Sequence, residues 1–279
     1  MIIEVPNEFK IRENSIYPEH NDPNFEQWYY NNYHEHKGRI YLPILWTAYL
    51  KYHNYGQDIY VLSRLQKFID TLPTDVPMYT ICQWDDGCKV DISKHDIKVF
   101  YMGYPAKDEH IQIPLLCQPH PYKFNNKERD IFCSFIGSRT HVIRNVILDH
   151  KWSEGFYITD KPHTTEQYCE IMARSKYVLG PRGYGFSSFR IAEALQYGAI
   201  PVVVTDHLVP YEYNYAHVIP LDLFISFGGA EQHEKVVLRL AQGIVKDNLL
   251  NDSDYYERYF TFGVNKDAII KYLENEYTS

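Results

Sequence analysis

Three things are scarce in this chain, and each scarcity removes a class of function. Positive charge is in deficit: 28 Lys and Arg stand against 36 Asp and Glu, a formal net charge of -8 at pH 7. A chain so balanced carries no general footprint for nucleic acid or an anionic membrane, so any affinity for phosphate must be local. Long apolar runs are missing. No stretch approaches the roughly 18 apolar residues of a membrane span, and no charged-then-apolar leader opens the sequence. Cysteine is sparse and unpatterned. The five residues, Cys82, Cys88, Cys117, Cys133 and Cys169, are odd in number, and no pair has the two-residue spacing of a zinc or redox motif. Reduced thiols without leader or span give the expectation of a soluble, cytoplasmic protein, in which the Asn251-Asp-Ser253 sequon has no role. His34, His36, His120 and His207 lack metal spacing with a third ligand and read as surface or packing residues, so no metal site is expected.

What is present is a folded, aromatic-rich chain. Its 279 residues, 45% of them hydrophobic, exclude disorder and suffice for one large or two modest domains. The 26 Tyr and 14 Phe are many. Aromatic faces line sugar sites, but most such rings serve packing.

The pattern divides near residue 125, at the Pro-rich and then polar stretch Cys117-Gln-Pro-His-Pro-Tyr-Lys-Phe-Asn-Asn-Lys-Glu-Arg129. The domains expected are therefore 1–124 and 125–279, the last helix of the second being free to pack back on the first. In the first, Met1–Val5 reads as an edge strand, Phe25–Tyr33 as a helix, Arg39–Trp46 as a buried strand reaching Pro43, and Tyr60–Ile69 as a helix with one apolar face. Met78–Cys82, Ile97–Met102 and His110–Pro114 follow as strands. In the second, strands at Ile131–Ile136 and Phe156–Thr159 alternate with a helix from Ser138 to His150 and another opened by a Thr164/Gln167 capping box. A long helix, Glu231–Leu249, and a terminal one, Asn265–Tyr277, close the chain. Alternating strand and helix predicts an α/β fold with a parallel sheet and right-handed crossovers, whose ligands lie outside the carboxyl ends of the strands.

The stretch that carries most information is Ser175–Asp206. Tyr177–Leu179 suits a buried strand, Gly180, Gly183 and Gly185 a loop of close backbone approach, and Ser187 and Ser188 the cap of a helix running to Tyr197. Gly198 stops that helix and Ile200–Val204 is a second buried strand. A glycine loop feeding a helix front is an anion site, usually for phosphate. Arg182 and Arg190 flank this one, and guanidinium matches phosphate oxygens with paired donors. Glu193, a turn further in, can accept from ribose hydroxyls if the ligand is a nucleotide. A second arginine-bearing loop, Gly137-Ser-Arg139, leaves another strand end, so two such loops converge on one edge.

Each motif has a plainer reading. Arg190 and Glu193 also suit a surface helix pair. Asp85 and Asp86, followed by Gly87, either cap a turn or supply a general base. Asp252-Ser-Asp254 has the form of a metal-holding carboxylate pair but follows a helix end rather than a strand, and reads as a solvated turn. Gly183-Tyr184-Gly185-Phe186-Ser187-Ser188, with Asp206 about 20 residues on, approaches the dinucleotide fingerprint, which makes an NAD(P)-dependent oxidoreductase the rival. Against it, the unit comes late in the chain and the fingerprint leaves Arg182 and Arg190 unexplained.

Phe132-Cys-Ser-Phe-Ile-Gly137 with Arg144, Tyr177-Val-Leu-Gly-Pro-Arg-Gly-Tyr-Gly185, Ser187-Ser-Phe-Arg-Ile-Ala-Glu-Ala194 and Gly198-Ala-Ile-Pro-Val-Val-Val-Thr-Asp206, with Pro210 beyond, resemble the exostosin-like glycosyltransferases. In the first half only Arg39–Pro43, Asp85–Gly87 and Ile113-Pro114 suggest the family. The resemblance implies two Rossmann-like domains facing a cleft, the GT-B architecture. The second would hold a UDP-sugar, with UDP-xylose a first guess, and the first a glycan acceptor, with inversion at the transferred carbon. Arg139 or Arg144, with Arg182, would steady the departing diphosphate with Gly183, Tyr184, Gly185, Ser187, Ser188 and Arg190, and Glu193 would hold the ribose. Trp46 and Thr47 would meet the acceptor, Asp85 or Asp86 would take its proton, and no cofactor or metal would be required. A nucleotide-sugar-binding remnant without turnover is the non-enzymatic alternative. A thermal-shift comparison separates the main rivals: UDP raises the melting temperature if the transferase reading holds, and NAD does so if the oxidoreductase reading holds.

Overall fold

The computed structural model describes residues 2–10, 23–103, 110–124, 128–205, 217–220 and 255–278. The chain forms two compact units, residues 1–118 with 260–279, and residues 119–259. Each contains a parallel sheet, so the α/β class holds.

The sheet of the first unit runs in the order β1 (Ile40–Tyr41), β2 (Met78–Cys82), β3 (Ile97–Tyr101), β4 (His110–Gln112). Tyr41 pairs with Tyr79, Cys82 with Tyr101 and Tyr101 with Gln112, all in parallel. Every residue of β2 is buried, as expected of a central parallel strand covered on both faces. Around it lie α1 (Phe25–Asn31), α2 (Trp46–Tyr52) and α3 (Ile59–Ile69), the last capped by Asp58, which accepts from the Tyr60 and Val61 amides. The terminal helix, here labelled α8 (Phe262–Thr278), belongs to this unit. Phe262 packs edge-on against Phe25 and Trp28, and Glu276 pairs with Arg39 at 2.9 Å.

Two expectations fail here. The strand expected to run from Arg39 to Pro43 stops at Tyr41, because Pro43 has no N–H to extend a ladder and α2 begins at Trp46. The Met1–Val5 edge strand reduces to a single bridge between Ile2 and Tyr41. Burial, not the strand end, counts against the acceptor contact expected of Trp46 and Thr47. Both are fully buried and present no surface to a glycan. Trp46 Nε1 donates to Thr80 Oγ1 at 2.9 Å, and Thr47 spends both its amide and its hydroxyl on Glu26.

Glu26 explains why α1, α2 and β2 meet as they do. Its carboxylate accepts from Thr47 N at 2.9 Å, Thr47 Oγ1 at 2.8 Å and Gln83 N at 2.6 Å. It thereby ties the start of α2 to the residue leaving β2. Burial pushes its pKa up to about 7 even though those hydrogen bonds favour the anion.

The sheet of the second unit runs in the order β6 (Phe156–Thr159), β5 (Ile131–Ile136), β7 (Ser175–Pro181), β8 (Ile200–Thr205), β9 (His217–Pro220). All pairs are parallel; Ile136 meets Thr159, Pro181 meets Val204 and Thr205 meets Pro220. Helices α4 (Val142–Asp149), α5 (Thr165–Arg174), α6 (Arg190–Gln196) and α7 (Tyr255–Tyr259) complete what is described. The Thr164/Gln167 capping box is complete. Gly198 ends α6 at φ 64, a conformation glycine adopts without strain. The helix proposed for Glu231–Leu249, the Asp252-Ser-Asp254 turn, Asp206, His207 and Pro210 lie outside the described residues.

Glu26→Ala leaves two backbone N–H groups and a hydroxyl buried without their acceptor. The expected loss is about 3–5 kcal/mol of unfolding free energy in urea at neutral pH. A loss below about 1 kcal/mol would show that the three donors find other partners.

Candidate functional site

The carboxyl ends of β5 and β7 bring together most of the residues singled out in the second unit. Two helices enter the second unit later than the sequence suggests. α4 starts at Val142 with His141 as its cap, leaving Ser138–Thr140 as loop. α6 starts at Arg190 with Phe189 as an N-cap that makes no side-chain bond. Ser187 and Ser188 are therefore not the cap. The tight turn in which Ile191 N donates to Ser188 O at 3.1 Å comes first, and the buried Ser188 Oγ accepts from Arg190 N at 3.4 Å. With seven residues and its leading amides engaged, α6 presents a weaker positive end than a long helix fed directly by a glycine loop.

The arginines carry the electrostatics instead. Arg144, on α4 and buried, donates from Nε to Arg182 O at 3.0 Å, from Nη2 to Pro181 O at 3.1 Å and from Nη1 to Ser138 O at 3.3 Å. Arg190, on α6, donates from Nη2 and Nε to Ile136 O at 2.6 and 3.0 Å. Both guanidinium groups lie over the Phe135 ring, at 5.8 and 5.0 Å from its centroid. Among the described residues no carboxylate pairs with either. Carbonyl dipoles hold these cations without cancelling their charge. Burial, then the neighbouring charge of Arg190, lowers the Arg144 pKa to about 10, which still leaves it cationic at neutral pH. Arg182 is also buried; its Nη2 donates to Tyr184 O at 3.1 Å and its guanidinium stacks 4.0 Å above Phe186.

The glycines serve this arrangement by their size. Neither Gly137 nor Gly183 has a positive φ. A Cβ on Gly137 would lie 2.5 Å from Arg190 Nη2 and 3.0 Å from Phe135 Cζ, and one on Gly183 would lie 3.1 Å from Arg144 Nη2. They leave room for arginine side chains. Gly185 is buried and Tyr184, at the loop tip, is exposed.

Arg139 behaves differently. Its Nη1 binds Asp149 Oδ1 and its Nε binds Asp160 Oδ2, each at 2.8 Å, on the exposed rim. Two carboxylates neutralise it. Of the two arginines left open by the sequence, Arg144 alone adds net positive charge to the strand edge.

Glu193 is buried and central to a network that sequence reasoning missed. Tyr168 OH donates to Glu193 Oε2 at 2.6 Å, and His120 Nε2 lies 3.4 Å from Oε1. The plain alternative of a surface Arg190–Glu193 pair is excluded by this burial. His120, expected at the surface or in packing, is buried in the second unit, stacked on Tyr197, with its amide donating to Gln196 Oε1. Burial works against its charge, but hydrogen bonds to the Cys169 thiol and Glu193, with their charges, outweigh it and push its pKa up to about 9. A histidine in a Pro-rich stretch carries no periodic signal that would mark it as buried.

Asp85 and Asp86 belong to the first unit, in the turn leaving β2. Asp86, largely exposed, pairs with Lys89 Nζ at 2.8 Å; Asp85 is half-buried, and its carbonyl accepts from Tyr101 OH. Gly87, at φ 75, closes the turn with its amide on Trp84 O at 3.0 Å. No cluster of His, Cys, Asp and Glu suited to a metal occurs among the described residues, and none of their helices is long and apolar enough to cross a membrane.

Parallel strands with cationic loops at their carboxyl edge make an arrangement suited to an anionic ligand. Residues 95–219, from β3 to β9, match the family model described as Exostosin GT47 domain. Over that stretch the chain is similar to the exostosin-like glycosyltransferases, and the match covers the whole arginine-bearing edge but not Asp85 and Asp86.

The His120–Glu193 pair gives the fold a definite pH dependence. The folded-state pKa lies above the ordinary value of 6.5, so the stabilisation is complete below about 6.5 and is lost as pH rises through about 9. The stability gap between wild type and His120→Gln in urea should therefore be wide near pH 6 and narrow steadily towards pH 10. A gap independent of pH would mean the pair is held uncharged.

Proposed function

We propose that the protein is an inverting, metal-independent glycosyltransferase that moves a sugar from a UDP-sugar to a hydroxyl of a glycan acceptor. The observation that carries this reading is the pair of buried guanidinium groups, Arg144 and Arg190, held on strand-end carbonyls rather than on carboxylates. Preorganised positive charge is most effective where negative charge develops, here on the departing diphosphate. Arg182 joins them as the third cation, and Gly183, Tyr184, Gly185, Ser187 and Ser188 form the loop against the phosphates. Glu193 holds the ribose, supported by Tyr168 and His120. UDP-xylose remains the first donor to try.

In the reaction the acceptor oxygen attacks the anomeric carbon through an oxocarbenium-like state as the bond from that carbon to phosphate oxygen breaks. The acceptor proton passes to a carboxylate, for which Asp85 and Asp86 are the candidates, and UDP leaves as the anion. The arginines supply the charge stabilisation a divalent ion would otherwise give, which is the support for metal independence.

The contrast between arginines tests this. Arg182→Ala should weaken UDP binding in calorimetry by roughly 10- to 150-fold, the loss of one charge-assisted contact of about 1.5–3 kcal/mol. UDP-sugar turnover should fall at least as much, with the melting temperature little changed. Arg139→Ala should leave both within about twofold, as its charge is already neutralised at the surface. Equal losses in the two variants, or none in Arg182→Ala, would place the donor elsewhere.

A further inference from the structure

We infer that Tyr55 and Trp84 form a stacking platform for a sugar ring of the acceptor, built on the first unit beside Asp85 and Asp86. The inference rests on the glycosyltransferase reading and names the surface on which an acceptor of that reaction lies.

Backbone conformation supplies the first observation. Among the described residues only Asn54, Tyr55 and Lys89 are non-glycine residues at positive φ, at 51, 58 and 58. All three fall in two adjoining loops, together with Gly56 at 67 and Gly87 at 75. The loops touch: a Cβ on Gly56 would lie 3.7 Å from Lys89 Cγ, and Lys89 Nζ holds Asp86. A bulky aromatic residue in the left-handed region is an outlier, and outliers of this kind gather where a chain must present a group rather than where it must pack. Burial does not offset the strain at Tyr55, because its side chain is 57% exposed.

The second observation is what the strained turn presents. The Tyr55 ring lies 6.2 Å from that of Trp84, inclined by 33°. Trp84 is half-buried against the core of the unit and directly precedes Asp85.

A pyranose matches these features. One face offers a cluster of weakly positive C–H groups, which an aromatic face with its negative quadrupole attracts. Its rim offers hydroxyls, which are donors for carboxylates and acceptors for an ammonium group. Tyr55 and Trp84 meet the first need, and Asp86 and Lys89 the second. A ring resting on Tyr55 thus carries its hydroxyls towards the carboxylates assigned to take the acceptor proton. The occupant is a sugar ring of an oligosaccharide acceptor, matched to the Tyr55 and Trp84 rings by its C–H face and to Asp86 and Lys89 by its hydroxyls.

The test uses the full chain on a printed array of neutral and acidic oligosaccharides with UDP present, followed by titration of the strongest ligands while tryptophan fluorescence is read. Wild type is expected to bind at least one glycan with a shift in emission that Trp84→Phe abolishes. Tyr55→Ala should weaken that binding tenfold or more, and Tyr55→Phe, which keeps the ring, should restore it to within about twofold. Melting curves confirm that the variants fold. Absence of binding to any arrayed glycan, or equal binding by wild type and Tyr55→Ala, overturns the platform. Calorimetry of wild type with UDP stands apart from both: UDP binding without a glycan response removes the platform alone, and failure to bind UDP removes the glycosyltransferase reading beneath it.

Discussion

A guanidinium group held by backbone carbonyls, with no carboxylate beside it among the described residues, is the interaction that shapes the carboxyl edge of the second unit's sheet. Taking a cation out of water is costly unless its donors are satisfied. Arg144 and Arg190 meet that cost with five hydrogen bonds between them to the ends of β5 and β7 and the loop at Ser138. A carboxylate would have met it as well, but it would have cancelled the charge. Carbonyl dipoles leave it intact, and Phe135 beneath both groups adds attraction without adding a counter-charge. The same bonds fix strand ends that would otherwise fray, so local order and positive potential have one source. Gly137 and Gly183 follow from this need for space.

The first unit solves the converse problem. Glu26 is a buried carboxyl group that gathers backbone and hydroxyl donors where α2 begins and β2 ends. Three donors consume it, so it ties elements together and keeps no role towards a ligand. Just beyond lies the turn that holds the half-buried Asp85 and the exposed Asp86, beside the positive-φ residues Tyr55 and Lys89.

Much of the fold was legible in the chain. The parallel strands Met78–Cys82 and Ile131–Ile136, the capping box at Thr164 and the stop at Gly198 follow from local rules, because burial on both faces and capping chemistry leave direct marks on sequence. Helix starts were less legible. Ser187 and Ser188 have the right side chains for a cap, yet a turn through Ser188 O delays α6 to Arg190. Trp46 and Thr47 misled because a residue just past a strand end can point to solvent or to the core, and only Glu26 and Thr80 decide which.

Sequence alone determined the α/β class, the glycine-and-arginine loops at the carboxyl ends of two strands, and the exostosin-like pattern that joins them. Those depend on residue type and spacing, which are local. Tertiary structure decided which arginine carries its charge without a neighbouring carboxylate among the described residues. Arg139 and Arg144 are five positions apart and alike in chemistry, but one meets Asp149 and Asp160 at the rim and the other meets carbonyls in the interior. The same is true of His120, whose pKa is raised by Cys169 and by Glu193, the latter 73 residues away in sequence. Whether a side chain finds an anion, a dipole or water depends on distant segments brought together by folding, and no local pattern records it.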